Sequence, residues 1–411
     1  MKVMFDATWI GSHLNQNAMH GGLRVIYELA NRLQISDQID LFYSINHYDP
    51  RLLNNLKIYL NENYGIDSCK KIVNGQGEIF ELKYFLNSKY NYFIKSFLKL
   101  KNSSVQLNHF NTQKLRNIDI YHSPMEAIPD EIKKNKKIKK VFTSHDLMPF
   151  LRPDLAPVSF FNVLKPAYDS IDEETKVICV SNFTKNELLS YRNDLNEEQV
   201  EVVYLGADSK LFYPNKNVNQ FIVVKDKYNF SFDNYLLCLN RKQKYKNTEH
   251  VIEAYINLIE LENLDNLGLI LIGTFESNEA KKNMLNKYKA YKNICFLEYI
   301  PDNELSVFYS NALCFLYMSL YEGFGLPVVE AMQCGVPIIA SNQASLPEVI
   351  SNGGICLDPY DVNLLSDTIS RIVNNSDLQK EMSEKSLVRS AFFSWEKNVN
   401  ETITIYKNII D

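Results

Sequence analysis

Residues 321–337 read YEGFGLPVVEAMQCGVP, and two carboxylates in that stretch, Glu322 and Glu330, have seven residues between them. Gly323, Gly325 and Pro327 follow the first, and the second falls inside the apolar run Val328, Val329, Ala331, Met332. Glycines permit a tight turn with exposed backbone N–H groups, and proline suits the first position of a helix. The run therefore predicts a short buried helix ended by Gly335 and Pro337, with Glu322 in the loop above its N-terminus and Glu330 about one turn inside. Free amides at a helix N-terminus hold anions, and carboxylates beside them suit the hydroxyls of a sugar or ribose. The chemistry implied is a pocket for a phosphorylated sugar compound. A carboxylate pair that complements the helix dipole is a second reading, and it leaves the glycine-rich loop unexplained. A glycosidase acid and nucleophile is a third, and it leaves the phosphate-type features without purpose.

Other residues could share that chemistry. His145 closes the apolar stretch KVFTSH, and Asp146 after it is expected to order the following turn. His122 stands in YHSP. Gly21 and Gly22 follow His20 and precede a helix expected from near Leu23. Their pattern is not GxGxxG, so hydride transfer from a dinucleotide is a poor reading. The polar segment SHLNQNAMH before them suggests a loop that orders on binding. Arg241 and Lys246 lie in NRKQKYKN, just after the apolar run YLLCLN. Ser181 and Thr184 read as helix-capping residues.

These residues sit between short apolar runs. KVMFDA, IDLFYSI, IDIYHSP, KVFTSHD, KVICVS and VEVVYLG form a first series of candidate strands; YLLCLN, LGLILIG, NICFLEYI, ALCFLYMS, PIIAS and GICLD form a second. Many are apolar throughout, as parallel strands buried on both faces are. Helical patterns intervene, at Leu23 to Leu33, Asn182 to Tyr191, Thr248 to Leu261 and Asp302 to Asn311. Two separate strand–helix series predict an α/β protein of two doubly wound domains, 1–212 and 213–394, with ligand in the cleft between them. The segment 395–411 reads as a helix that packs back onto the first domain.

A chain of 411 residues can bury two cores. A net charge of -5 and a pI near 5.9 argue against nucleic acid as a partner. Seven cysteines, most in apolar segments, look like reduced buried thiols, and no apolar run approaches a membrane span. With no signal-peptide anatomy, the expected location is the cytoplasm. Residues 80–101 mix aromatics with lysines, and KKNKKIKK at 133–140 adds six lysines. These read either as a solvated face or as a patch that docks peripherally on anionic lipid at the inner face of the cell membrane.

Taken in order, GGLR, HSP at 122–124, SHDLMPFLRP, VSNFTKNEL, LGADSKLFYP, NRKQKYKN, FLEYIPDNELSVFYSNA, EGFGLPVVEAM and ASLPEVI are similar to the motifs of glycosyltransferase family 4. This is the retaining class with two Rossmann-like domains facing a cleft, the GT-B fold. The resemblance runs over nearly the whole chain. It implies that Glu322 holds hydroxyls of the donor sugar and Glu330 the nucleoside ribose. Arg241 and Lys246 would neutralise the leaving diphosphate, and His145 would face the sugar. Gly21, Gly22, Gly323, Phe324, Gly325 and Leu326 would complete the donor site, and His122 would line the acceptor side. The family often has Gly before the arginine, where this chain has Asn240. With no Asp-x-Asp loop in view, no metal or other cofactor is expected. The implied partners are a nucleotide diphosphate sugar (GDP-mannose or rhamnose-type, or UDP-sugar) and a glycan or lipid-linked glycan of a bacterial surface polysaccharide. A nucleotide-sugar-binding subunit without turnover, and an epimerase of the same architecture, are the alternatives.

Overall fold

The computed structural model describes residues 1–13, 21–46, 50–66, 68–74, 110–239, 243–275 and 277–411. Arg241, Asn240, most of the SHLNQNAMH segment and the aromatic-lysine stretch 80–101 lie outside the described residues.

Each apolar run forms a strand. β1 (Lys2–Asp6), β2 (Asp40–Ser44), β3 (Ile120–Ser123), β4 (Lys139–Ser144), β5 (Thr175–Cys179) and β6 (Val200–Val202) make one parallel sheet in the order β2-β1-β3-β4-β5-β6. β7 (Asn234–Leu239), β8 (Leu267–Ile272), β9 (Ile294–Leu297), β10 (Cys314–Tyr317), β11 (Ile338–Ser341) and β12 (Ile355–Leu357) make the other, in the order β12-β11-β10-β7-β8-β9. The strands are continuously apolar because both faces are covered. Tyr235, Leu237 and Leu239 of β7 enter one core, while Leu236 and Cys238 enter another.

Both sheets reverse direction once. The chain runs outward from β1 to β2, then places β3 on the other side of β1; it repeats this from β7 through β9 before β10. Such a reversal opens a crevice at the carboxyl ends of the two central strands, where open α/β sheets bind ligands. Register fixes these pairs, with Phe5 opposite His122 and Leu316 opposite Cys238.

The chain passes between the domains twice, side by side, and Ala207 pairs with Ser394 in parallel. A Cβ on Gly206 would lie 2.3 Å from the Trp395 backbone nitrogen, so glycine is required there. Ser394 caps the last helix, Trp395–Ile410, by accepting from Lys397 N at 3.1 Å. Its Val399, Ile403, Ile405 and Tyr406 are buried in the first domain's core.

Three of the six lysines in 133–140 pair with carboxylates. Lys140 is 2% exposed and its Nζ lies 2.8 Å from Glu174 and 3.1 Å from Asp172. Lys136 pairs with Glu174 at 2.5 Å and Lys133 with Asp130 at 2.9 Å. Strand β4 carries Lys140 edge-on into an acidic turn, which a count of charges along the sequence does not reveal. Among the described residues no helix is long and apolar enough to cross a membrane.

Candidate active site

The crevice between β7 and β10 is furnished by the loops that follow those strands. After β7 the chain makes a short turn, Lys244–Lys246, and enters the helix Thr248–Glu262 through Asn247. After β10 it passes Ser319 and Glu322 before the helix Leu326–Gln333. Leu320 N donates to Tyr245 O at 2.7 Å, which ties the two loops together. Glu322 Oε1 then gathers three donors: the Lys246 ammonium, Tyr317 OH at 2.9 Å and Ser319 Oγ at 2.7 Å. Lys246 is 7% exposed and also donates to Tyr317 OH at 2.7 Å. Its charge lies over the Tyr317 ring, 4.8 Å from the centroid. The carboxylate is thereby fixed in one orientation.

The helix Leu326–Gln333 starts as the sequence predicts. Gly325, at φ 99°, is its N-cap in the left-handed region, Pro327 lies in its first turn, and Gly335, at φ 71°, follows its end. The rings and chains of Phe324 and Leu326 are buried in the core, and Phe324 packs against Phe393 with centroids 5.6 Å apart. What these two residues offer a ligand is backbone. Gly323 meets the other domain directly: a Cβ there would sit 1.9 Å from His145 O. Its own carbonyl accepts from Ser181 Oγ at 2.7 Å and Thr184 Oγ1 at 3.1 Å. Ser181 also caps its own helix, Asn182–Tyr191, as its position suggests.

On the first-domain side, His145 Nε2 donates to Pro124 O at 2.7 Å. Burial pushes its pKa down to about 4, so the ring is neutral at pH 7 and Nδ1 carries a lone pair. Asp146 accepts from Met148 N at 3.1 Å, ordering the turn. Burial, with Glu322 close by, pushes its pKa up to about 6. Gly21 opens the helix Gly21–Ile35 with nothing within 4 Å of a Cβ position, and Gly22 faces Met125.

The expectation that His122 lines the acceptor side is overturned. The ring is fully buried, with Nδ1 2.5 Å from Tyr406 OH and Nε2 2.7 Å from Thr143 Oγ1. Burial, and then His145, push its pKa down to about 3. Strand alternation turns this side chain toward the C-terminal helix and away from the crevice.

Several residues that sequence reasoning left without a role meet across the cleft. Arg24, of GGLR, bridges Glu330 and Asp302, the latter at 2.6 Å. Burial alone would weaken the guanidinium's charge, but Glu330 and then Asp302 raise its pKa. Glu348, of ASLPEVI, accepts from Asn182 N at 2.8 Å, Phe183 N at 3.0 Å and Tyr204 OH at 2.7 Å. It thus caps a helix of the opposite domain. Tyr321 OH donates to Glu187. Each charged residue lay in a motif already visible, and its partner lay in another.

Residues 19–211 match the family model described as Glycosyltransferase Family 4, and residues 223–388 the model described as Glycosyl transferases group 1. The O-antigen chain mannosyltransferase B of Escherichia coli is 30% identical over 290 residues, 70% of this chain and 74% of that protein. The serotype-specific mannosyltransferase WbdA of Escherichia coli is 25% identical over 278 residues, 66% of this chain and 34% of that protein. This chain therefore spans about a third of WbdA. A solved glycosyltransferase from Rickettsia africae shares the fold, with a TM-score of 0.70, 20% identity and coverage of 100% of this chain and 98% of that one. Anabaena HepE, solved with UDP and glucose, shares it at a TM-score of 0.68 and 15% identity, over 99% of both chains. Both domains, their order and a relative aligned over most of its length agree: the chain belongs to glycosyltransferase family 4.

Proposed function

We propose that the protein is a retaining hexosyltransferase that moves a sugar from a nucleotide diphosphate sugar to a hydroxyl of a glycan or lipid-linked glycan, in bacterial surface polysaccharide assembly. The observation that carries this reading is the Lys246–Tyr317–Ser319–Glu322 cluster at the second sheet's crevice, where Gly323 abuts the backbone of His145. The mannosyltransferase names of the relatives favour a GDP-mannose-type donor over a UDP-sugar.

In this reading the acceptor oxygen bonds to the anomeric carbon as the bond to the diphosphate breaks, on the same face. The leaving phosphate oxygen takes the acceptor's proton, so no protein base is needed. Glu322 orients the sugar hydroxyls, and His145 Nδ1 accepts one more. Lys246 meets the charge that grows on the diphosphate, and Arg241 joins it. Gly21, Gly22 and the backbone from Gly323 to Leu326 approach the donor phosphates, and Glu330 holds the ribose, sharing its carboxylate with Arg24. The cations do the work that a metal does elsewhere, so turnover should survive a chelator.

Thermal melting against a panel of nucleotide sugars, followed by transfer to an oligosaccharide acceptor, tests this. One donor should raise the melting temperature by mass action and support transfer with retained anomeric configuration. No shift with any nucleotide sugar, or an inverted product, would remove the reading.

A further inference from the structure

Glu322 stands between two residues that reach into the other domain. Gly323 abuts His145 O, and Tyr321 sends its side chain to Glu187, where it is 4% exposed. The first contact is backbone against backbone, whereas the second ends on a hydroxyl with two partners. We propose that Tyr321 is a positioning residue whose hydroxyl, held by Glu187, sets the turn His145–Leu147 against Glu322 for sugar transfer; this rests on the transferase reading above.

The hydroxyl is used in both of its roles. It donates to the Glu187 carboxylate and accepts from Leu147 N at 3.3 Å. Burial, and then the charge of Asp146, hold the phenol protonated, so it stays a donor. Phe183 and Glu187 lie one turn apart on the helix Asn182–Tyr191, which places them on the same face. Phe183 meets the Tyr321 ring edge-on with centroids 5.6 Å apart, while Glu187 meets its tip. One helix therefore seats both the ring and the hydroxyl.

The Leu147 amide connects that seat to the reacting groups. The turn His145–Leu147 has two ties inside its own domain: His145 Nε2 donates to Pro124 O at 2.7 Å, and Tyr168 OH to Asp146 O at 2.7 Å. Tyr321 OH adds a tie to the domain that carries Glu322. At the other end of Tyr321, its carbonyl accepts from Ser319 Oγ at 3.3 Å, and the same hydroxyl donates to Glu322 at 2.7 Å. Hydrogen bonds thus lead from Glu187 through Tyr321 and Ser319 to Glu322. Without the Tyr321 hydroxyl, the Leu147 amide and the Glu187 carboxylate each lose a partner, and the turn is free to shift.

Kinetics with GDP-mannose, or with UDP-glucose where that raises melting more, and an α-mannose oligosaccharide as acceptor test this. Tyr321→Phe keeps the ring and removes only the hydroxyl. Its kcat should fall about ten-fold, since misplacing reacting groups by about 1 Å can cost 100-fold, while the donor KM and the donor-induced thermal shift stay near the parent's. Glu187→Ala should fall by as much, and Glu187→Gln, which can still accept, should restore most of that loss. The double variant Tyr321→Phe with Glu187→Ala should lie within about two-fold of either single one, because all three remove the same hydrogen bond. A loss confined to the melting temperature, with parental kcat in Tyr321→Phe, overturns the proposal. So do losses that multiply in the double variant, or a Glu187→Gln as slow as Glu187→Ala. A parent that transfers from neither nucleotide sugar removes the transferase reading and takes this proposal with it; transfer by the parent with kcat indifferent to Tyr321→Phe removes this proposal alone.

Discussion

In the second domain, one oxygen of Glu322 gathers Lys246, Tyr317 and Ser319 without help from across the cleft. In the first domain, His145 rests on a loop carbonyl and is backed by Gly323 of the other domain. Arg24, Ser181 and Glu187 likewise find partners across the cleft. The half that handles charge is therefore complete within one domain, and the half that sets geometry depends on where the domains meet. Charge stabilisation works best when preorganised, and a cleft that must admit a substrate has reason to leave the other half adjustable.

The largest effects should come from breaking the self-contained half. Lys246→Ala or Glu322→Ala should lower turnover by about 100-fold to 1,000-fold, the loss that follows removal of a preorganised charge partner. Circular dichroism and melting should show the fold retained; near-normal turnover in both would end the assignment. Next comes Gly323→Ala, which places a Cβ 1.9 Å from His145 O and forces the domains apart. Transfer should fall by about ten-fold or more, since misplacing reacting groups by about 1 Å can cost 100-fold. Gly21→Ala, with open space around it, should melt like the parent, and full activity in Gly323→Ala would show that the close contact is dispensable.

Smaller again is Arg24→Ala, which removes one partner of Glu330 from across the cleft. The Glu330 side chain is 5% exposed and that of Arg24 19%, so losing this partly screened pair should cost about 1 kcal/mol. An unchanged melting temperature would mean that the bridge does not hold the domains.

The smallest effect is a pH slope. His122, held down to about 3, stays neutral when folded, whereas the unfolded chain protonates it below its ordinary 6.5. Its share of stability is full above pH 6.5 and drains as pH falls toward 3. Asp6, raised from 3.8 to about 7, acts in the opposite direction, since the folded chain keeps its proton longer. His122→Asn should therefore melt below the parent at neutral pH, by a margin that shrinks as the solution is acidified. A constant margin would show that burial does not hold the ring neutral.

The strands were legible because strands buried on both faces are written as unbroken apolar runs, and the Glu322–Glu330 loop because its parts are contiguous. Partnerships at long range were not. Arg24 and Glu330 are 306 residues apart, and nothing local to GGLR names a carboxylate in another domain. His122 misled because a histidine near a strand end reads alike whether it faces the crevice or the helix behind the sheet. Lys140 misled in the same way, since a charge run looks exposed until its strand is paired. The sequence also displayed Ser181 and Glu348 in separate motifs, and only folding shows that both serve the contact between domains.

The pairing of Ala207 with Ser394 makes the second domain an insertion in the first, with its two ends drawn together at the base. Connectivity and sequence order then disagree about which residues form a unit. Deleting the final helix should injure the N-terminal domain, whose core holds Ile403 and Tyr406, and spare the domain that precedes it in sequence. Conversely, residues 208–393 begin and end side by side, the arrangement in which a domain can be excised whole or the chain circularly permuted without crossing a core.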